Sequence, residues 1–292
     1  MPIEIARTDA EIRTAVAALR TDRPTYADLL AFYEAVFIAQ AESRDQLDLP
    51  PISLDPEEAE RRIADRRPLI AMTDFVIDVA AAKALFLEIR ARGRGTTPPL
   101  DEAARRLTEG VQSGELSPDE LFSAIVGEDD AHLDAIADRM AVERSVLAFI
   151  GYASIYPALA AGAAALAAAH LTDPAPVPLG RCPVCGNRPG LAALDDRGGR
   201  YLICGFCDHP WPARRIFCPF CESTDAETLH YFFTDEEPEY RVDLCDACKT
   251  YLKTVDTRHL SRPFYPPLEK LVTLHLDVRA RDEGFASGTP AC

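Results

Sequence analysis

No cysteine occurs before residue 182, so the long first part of this 292-residue chain has no thiol for a disulfide, a metal or a nucleophile. Basic charge is also scarce: 31 Lys and Arg stand against 47 Asp and Glu, a net charge of −16. A field of that sign repels polyanions at long range and argues against an unspecific nucleic-acid coat. Residues 1–175 carry −13 of it and the remainder only −3, and the cysteine-bearing remainder has no dense basic stripe. Nor is there a Ser/His/Asp set, a phosphate-binding glycine loop or an H-E-x-x-H motif, so those enzyme classes lack their residues. The start has no basic, apolar and small-residue succession, because Glu4, Arg7, Asp9 and Glu11 interrupt it, and no twin-arginine signal opens the chain. The expected compartment is the cytoplasm.

One stretch lacks charge altogether. Val146 to Leu171 runs for 26 residues without Asp, Glu, Lys or Arg, long enough to span a bilayer. Eleven of these residues are alanine, Pro157 interrupts the run, and no Lys/Arg cluster flanks it. Two buried core helices meeting at Pro157 are expected, with no membrane insertion.

What is present fits a globular protein: 48% of residues are hydrophobic and 27% charged. The length implies about two domains. Upstream of the cysteines the apolar spacing is helical, as in Tyr26, Leu29, Leu30, Tyr33, Val36 and Phe37. Helices are predicted over 8–20, 26–42, 56–65, 75–91, 100–112, 117–126, 130–139 and 141–170. Several begin at an N-cap residue, most clearly at Ser117-Pro-Asp-Glu120. A proline-rich linker, 172–180, follows. Beyond it the pattern turns to short strands, 201–203, 229–233 and 240–244, and an amphipathic helix near 267–281 closes the chain.

Eight cysteines form four C-x-x-C pairs: Cys182/Cys185, Cys204/Cys207, Cys218/Cys221 and Cys245/Cys248. Each such turn brings two sulfurs to one side, and two turns complete a tetrahedral metal site. The pairs are separated by 18, 10 and 23 residues. The two longer gaps have room for a hairpin, which favours joining the pairs in chain order over interleaved or nested pairings. Cys182, Cys185, Cys204 and Cys207 then form one site, and Cys218, Cys221, Cys245 and Cys248 the other. Four thiolates suit zinc or a single iron equally. A metal scaffold is the simplest use of such sites, because so small a segment needs the metal in order to fold. His209 is read as an ordinary loop histidine, Trp211 as packing beside the first site, and Cys292 as a free thiol. Arg214 and Arg215 are candidates to screen the thiolates or to meet a partner's acidic group, and Asp235-Glu-Glu237 is a solvated turn.

The whole pattern resembles the formate dehydrogenase accessory protein family, FdhE. The resemblance rests on Cys182-Pro-Val-Cys-Gly186, on Trp211 and Arg215 leading to Cys218-Pro-Phe-Cys221, and on Cys245-Asp-Ala-Cys-Lys-Thr-Tyr-Leu-Lys253. Leu276 to Ala286, Tyr26 to Gln40 and Arg67-Pro-Leu69 extend it more loosely. It implies a multidomain α+β fold. An α-helical domain (1–171) would be followed by two rubredoxin-like or zinc-ribbon-like modules (181–216 and 217–265) and a C-terminal helix and tail (266–292). The implied function is a non-enzymatic, cytoplasmic maturation factor for respiratory formate dehydrogenase. It would bind that enzyme's molybdenum-containing catalytic subunit and carry two metal ions on the eight paired cysteines, iron favoured over zinc. No nucleic-acid partner is implied, and a homodimer is left open. The alternative is a rubredoxin-like electron-transfer or redox-sensing protein.

Overall fold

A computed structural model describes residues 3–92, 98–171 and 180–289. All of the expected linker except Gly180, and Cys292, lie outside the described residues. Contacts gather the chain into two compact units. One consists of Thr8–Ile52 and Met72–Gly162, and the other of Met1–Arg7, Ser53–Ala71 and Ala163–Ala291. The units are thus not colinear with the chain: Ser53–Ala71 groups with the cysteines.

The first unit is helical: α1 (Asp9–Asp22) and α2 (Ala27–Asp45), then, beyond α3 (Pro56–Ala64) of the other unit, α4 (Val79–Arg92), α5 (Pro98–Ser113), α6 (Pro118–Val126), α7 (Asp130–Met140) and most of α8 (Arg144–His170). Local sequence sets the helix starts. Thr8 and Glu11 form a reciprocal capping box on α1, and the Ser117 hydroxyl accepts the Glu120 N–H in front of Pro118 on α6. Phe32, Val36 and Ala39 of α2 pack with Leu85 and Ile89 of α4 and Ala153 of α8, and the rings of Tyr33 and Phe149 lie against them.

Helix α8 corrects the expectation of a break at Pro157, because it runs through the proline as a single helix of 27 residues. A proline has no N–H for the carbonyl four residues earlier, here that of Ala153. The buried Gln40 of α2 supplies the substitute: its Nε2 donates to Ala153 O at 2.8 Å. α8 is long and apolar enough to cross a membrane, yet 56% of its most apolar window is buried within the protein.

The second unit is built on a sheet of β1 (Pro189–Leu194), β2 (Arg200–Cys204), β3 (Pro210–Ala213), β4 (Leu229–Phe233), β5 (Tyr240–Cys245), β6 (Thr250–Asp256) and the short β7 (Ala286–Ser287). The order is β3-β2-β1-β6-β5-β4, with β7 also on β6. It consists of two antiparallel three-stranded meanders fused by a parallel pairing of Ala192–Leu194 with Thr254–Asp256. The two cysteine-bearing meanders therefore share one sheet within a mixed α and β fold.

The closing helix departs from expectation in the opposite sense, being two helices, α9 (Pro266–Val272) and α10 (Leu274–Asp282). They part at Thr273, whose hydroxyl donates to Glu269 O at 2.6 Å. Lys253 Nζ of β6 then donates to the freed carbonyls of Lys270 and Thr273, at 3.0 and 3.4 Å. A buried network fixes α9 to β5: Tyr240 Oη donates to the Glu269 carboxylate at 2.7 Å, and Arg262 pairs with the same carboxylate. Glu269 has no exposure to water, so its charge depends on these two partners.

Candidate metal centres

Each C-x-x-C turn follows one backbone rule. The residue after its second cysteine takes a positive φ: 78° at Gly186, 53° at Asp208, 60° at Glu222 and 55° at Lys249. In the first turn the Cys182 N–H donates to Asn187 O at 2.8 Å, and Gly186 N–H donates back to Cys182 O at 2.9 Å. The third turn repeats this with Cys218 N–H to Ser223 O and Glu222 N–H to Cys218 O, both 2.8 Å. At Gly186 the positive φ comes with a close approach as well, because a Cβ there would come within 3.1 Å of Pro68. That proline belongs to Ser53–Ala71, where the N–H groups of Leu69 and Ile70 donate to the carbonyls of Pro183 and Val184 at 2.9 and 3.0 Å. The first turn is thus braced by a segment more than a hundred residues earlier.

The structure brings the eight cysteines together as two clusters in chain order, Cys182/Cys185/Cys204/Cys207 and Cys218/Cys221/Cys245/Cys248. Within the first, Sγ atoms lie 3.8 Å (Cys182 to Cys207), 3.5 Å (Cys185 to Cys204) and 3.6 Å (Cys185 to Cys207) apart. In the second, Cys218 and Cys248 are 3.7 Å apart and Cys221 and Cys245 3.6 Å. A disulfide needs about 2.05 Å, so these are free thiols. Tetrahedral bonds of about 2.3 Å from sulfur to metal place the sulfurs about 3.8 Å apart. Each cluster therefore has the donors and the dimensions to hold one metal ion, two per chain.

Four thiols this close need a cation to ionise together. Burial pushes Cys182 and Cys207 far up, while hydrogen bonds from Cys182 and the other two thiols hold Cys185 far down. The second cluster divides similarly: burial raises Cys218 and Cys245. Burial also opposes ionisation of Cys248, but the Thr250 hydroxyl, 2.8 Å from its sulfur, and the other thiols bring it below the usual thiol range. One sulfur in each cluster is thus favoured as thiolate at the cost of its neighbours, an arrangement a divalent or trivalent ion relieves. The N–H groups of Phe206 and Cys207 already point at Cys204 Sγ, at 3.3 and 3.4 Å.

The clusters differ in exposure. All four cysteines of the first are buried, whereas Cys221 is exposed and Cys248 half-buried in the second. The remaining candidates lie outside the sulfur clusters. Burial pushes the His209 imidazole down to about 4, so it is neutral, and its carbonyl rather than its ring serves the turn by accepting the Cys204 N–H. Trp211 is buried on β3 opposite Leu202, and Arg214 and Arg215 are exposed. Asp235 and Glu236 form an exposed turn, while Glu237 meets His275 at 2.7 Å.

Residues 181–215, which span the first cluster up to Arg215, match the family model described as the central domain of FdhE. A protein FdhE homolog from Aquifex aeolicus is 32% identical over 108 residues, and protein FdhE from Escherichia coli 34% identical over 109. The chain spans 38% and 34% of the length of those relatives, about a third. The crystal structure of FdhE from Pseudomonas aeruginosa is similar at a TM-score of 0.66 over 99% of this chain and 97% of that one, with 20% identity. Together these findings support the FdhE family. The sequence likeness is local, and the shared fold extends over both units. The sheet that carries the four-cysteine clusters accordingly belongs to a fold similar to that of an FdhE protein.

Proposed function

We propose that this chain is a cytoplasmic accessory factor, not an enzyme, for the maturation of respiratory formate dehydrogenase. Its client is that enzyme's molybdenum-containing catalytic subunit, held by surfaces of the helical unit and of the two four-cysteine sites. The observation that carries this reading is the pair of preformed sulfur clusters on one sheet, within a fold shared end to end with an FdhE protein. Neither cluster keeps an open ligand position when four thiolates bind one ion, which disfavours metal-assisted hydrolysis and favours a structural or redox role. Cys182, Cys185, Cys204 and Cys207 are the ligands of one ion, and Cys218, Cys221, Cys245 and Cys248 those of the other. We take the metal to be iron, which supplies one-electron chemistry when bound by four thiolates. The 26-residue uncharged run is a core helix rather than an anchor, in keeping with the burial of α8.

The test is co-purification: the tagged full-length chain, loaded with metal, is offered the catalytic subunit made without its mature cofactor. Retention of the subunit by the wild-type chain, lost on Cys-to-Ser change of both clusters, is the expected result. A subunit that passes unretained defeats the proposal. The exposure of Cys221 favours a second reading, electron transfer or redox sensing at the second cluster. A chain that carries only zinc after growth in iron-replete cells excludes it.

A further inference from the structure

The two modules repeat each other strand for strand, and the repeat leaves one of two equivalent surfaces uncovered. Cys204 at the end of β2 corresponds to Cys245 at the end of β5, since each opens the second C-x-x-C turn of its module. Ala192 pairs with Leu202, and Tyr231 pairs with Asp243, so Ala192–Leu194 of β1 and Tyr231–Phe233 of β4 occupy the same place in the two meanders. In the first module that place takes a parallel strand, Thr254–Asp256 of β6. In the second, β4 is the edge of the sheet among the described residues.

The hydrogen-bonding groups on this edge can be named. Asp246 N–H donates to Thr228 O at 2.9 Å, which makes positions 228, 230 and 232 the ones that bond to β5. The N–H and C=O groups of Leu229, Tyr231 and Phe233 therefore point away from the sheet. The side chains of Tyr231 and Phe233 stand on one face, 55% and 53% exposed. No proline, bulge or lysine protects β4. The opposite edge is protected. Cys204 N–H donates to His209 O, so positions 210 and 212 of β3 face outward, and both are prolines without an N–H. One edge of the sheet is thus closed to pairing and the other is open.

The charges around the open edge indicate its occupant. Asp225 and Glu227 lie before β4, and Asp235 and Glu236 after it, all exposed, and no cation pairs with these four among the described residues. Arg241 lies over the Tyr231 ring but is paired with Asp243 at 2.9 Å. A second copy of this chain fits badly: an antiparallel β4–β4 pair centred on Tyr231 sets Asp235 opposite Glu227, like charge against like. We infer that β4 is a docking edge for an extended polypeptide segment of the client, apolar in its middle and carrying Lys or Arg at both ends, which adds to the sheet as a strand parallel to β4. This inference rests on the reading that the chain binds a client polypeptide, and it names the surface and the chemistry of that contact. Main-chain bonds would supply affinity, and the aromatic face and acidic ends selectivity.

The test uses the full-length, metal-loaded chain and a fluorescent peptide of alternating Val and Thr with Lys-Arg at each end. Fluorescence anisotropy should report binding, and hydrogen exchange should show new protection at the amides of Leu229, Tyr231 and Phe233. Tyr231→Pro removes one outward N–H without touching the ladder to β5, and it should weaken binding about tenfold. Tyr231→Ala keeps that N–H and separates the loss of the ring from the loss of the bond. The exposed pair Glu227→Lys with Asp235→Lys should weaken binding comparably, and a peptide with acidic ends should not bind. Peptide binding that survives both Tyr231→Pro and the charge pair overturns the inference. So does protection of these amides in the free chain that grows with its concentration, which would assign the edge to a second copy. If the catalytic subunit is retained by wild type and by Tyr231→Pro alike, the docking edge fails and the maturation role stands. A wild-type chain that binds the peptide but not the subunit defeats the role instead.

Discussion

The continuity of α8 through Pro157 depends on a single side chain 113 residues distant, and substitution of Gln40 tests it. Gln40→Met preserves length and removes the amide that donates to Ala153 O at 2.8 Å. Since Gln40 is buried, the orphaned carbonyl has no water to turn to. Leaving a buried acceptor unsatisfied costs about 1–3 kcal/mol, and for a chain of this size each kcal/mol lowers the midpoint by about 2–4 °C. Thermal unfolding of the metal-loaded chain, followed by far-UV circular dichroism, should therefore give a midpoint lower by several degrees. The decisive arm is a double-mutant cycle with Pro157→Ala, which restores the N–H that the helix lacks. In that background Gln40→Met should lose most of its cost, a coupling of about 1 kcal/mol or more. An equal cost of Gln40→Met with and without Pro157 would refute the reasoning.

The unequal burial of the clusters predicts that a chelator strips the chain in two phases, the one containing exposed Cys221 and half-buried Cys248 first. Cys221→Ser should abolish only the fast phase, as read from chelator absorbance, and equal rates at both sites would contradict the prediction. Alkaline stability has a defined sign. Burial, with Asp277 accepting its phenol at 3.0 Å, pushes Tyr251 up to about 12. The unfolded chain releases that proton near the ordinary value of about 10, so the stabilisation is complete below about pH 10 and is lost as pH rises towards 12. Tyr251→Phe should flatten this part of the profile of unfolding midpoint against pH. An unchanged slope would assign the alkaline loss to other groups.

Sequence and structure agree best where the signal is local. The helix starts at Thr8, Asp55, Ser117 and Asp129 carry their own caps, and each lies within a residue or two of its predicted position. The four C-x-x-C turns were equally legible, because spacing alone carries that signal. What escaped depends on distant partners or on unfavourable composition. β1 reads Pro189-Gly-Leu-Ala-Ala-Leu194, without a β-branched residue, and β3 alternates proline with other residues as an edge strand permits but a strand rule penalises. The parallel pairing of β1 with β6 leaves no trace in either segment. Nor does Arg67-Pro-Leu69 show that its backbone meets the first cysteine turn, or Gln40 that it completes a helix elsewhere. At Asp208, Glu222 and Lys249 the left-handed backbone is imposed by the turn on residues that do not advertise it, whereas Gly186 does.

The most direct measurement of the proposed function is complementation in a host deleted for FdhE, scored as respiratory formate dehydrogenase activity. The wild-type chain should restore activity, and variants with Cys182→Ser or Cys245→Ser should fail while the helical unit remains folded by circular dichroism. Full activity in the deleted host without the chain, or full restoration by variants that hold no metal at either cluster, would contradict a maturation role built on the two four-cysteine sites.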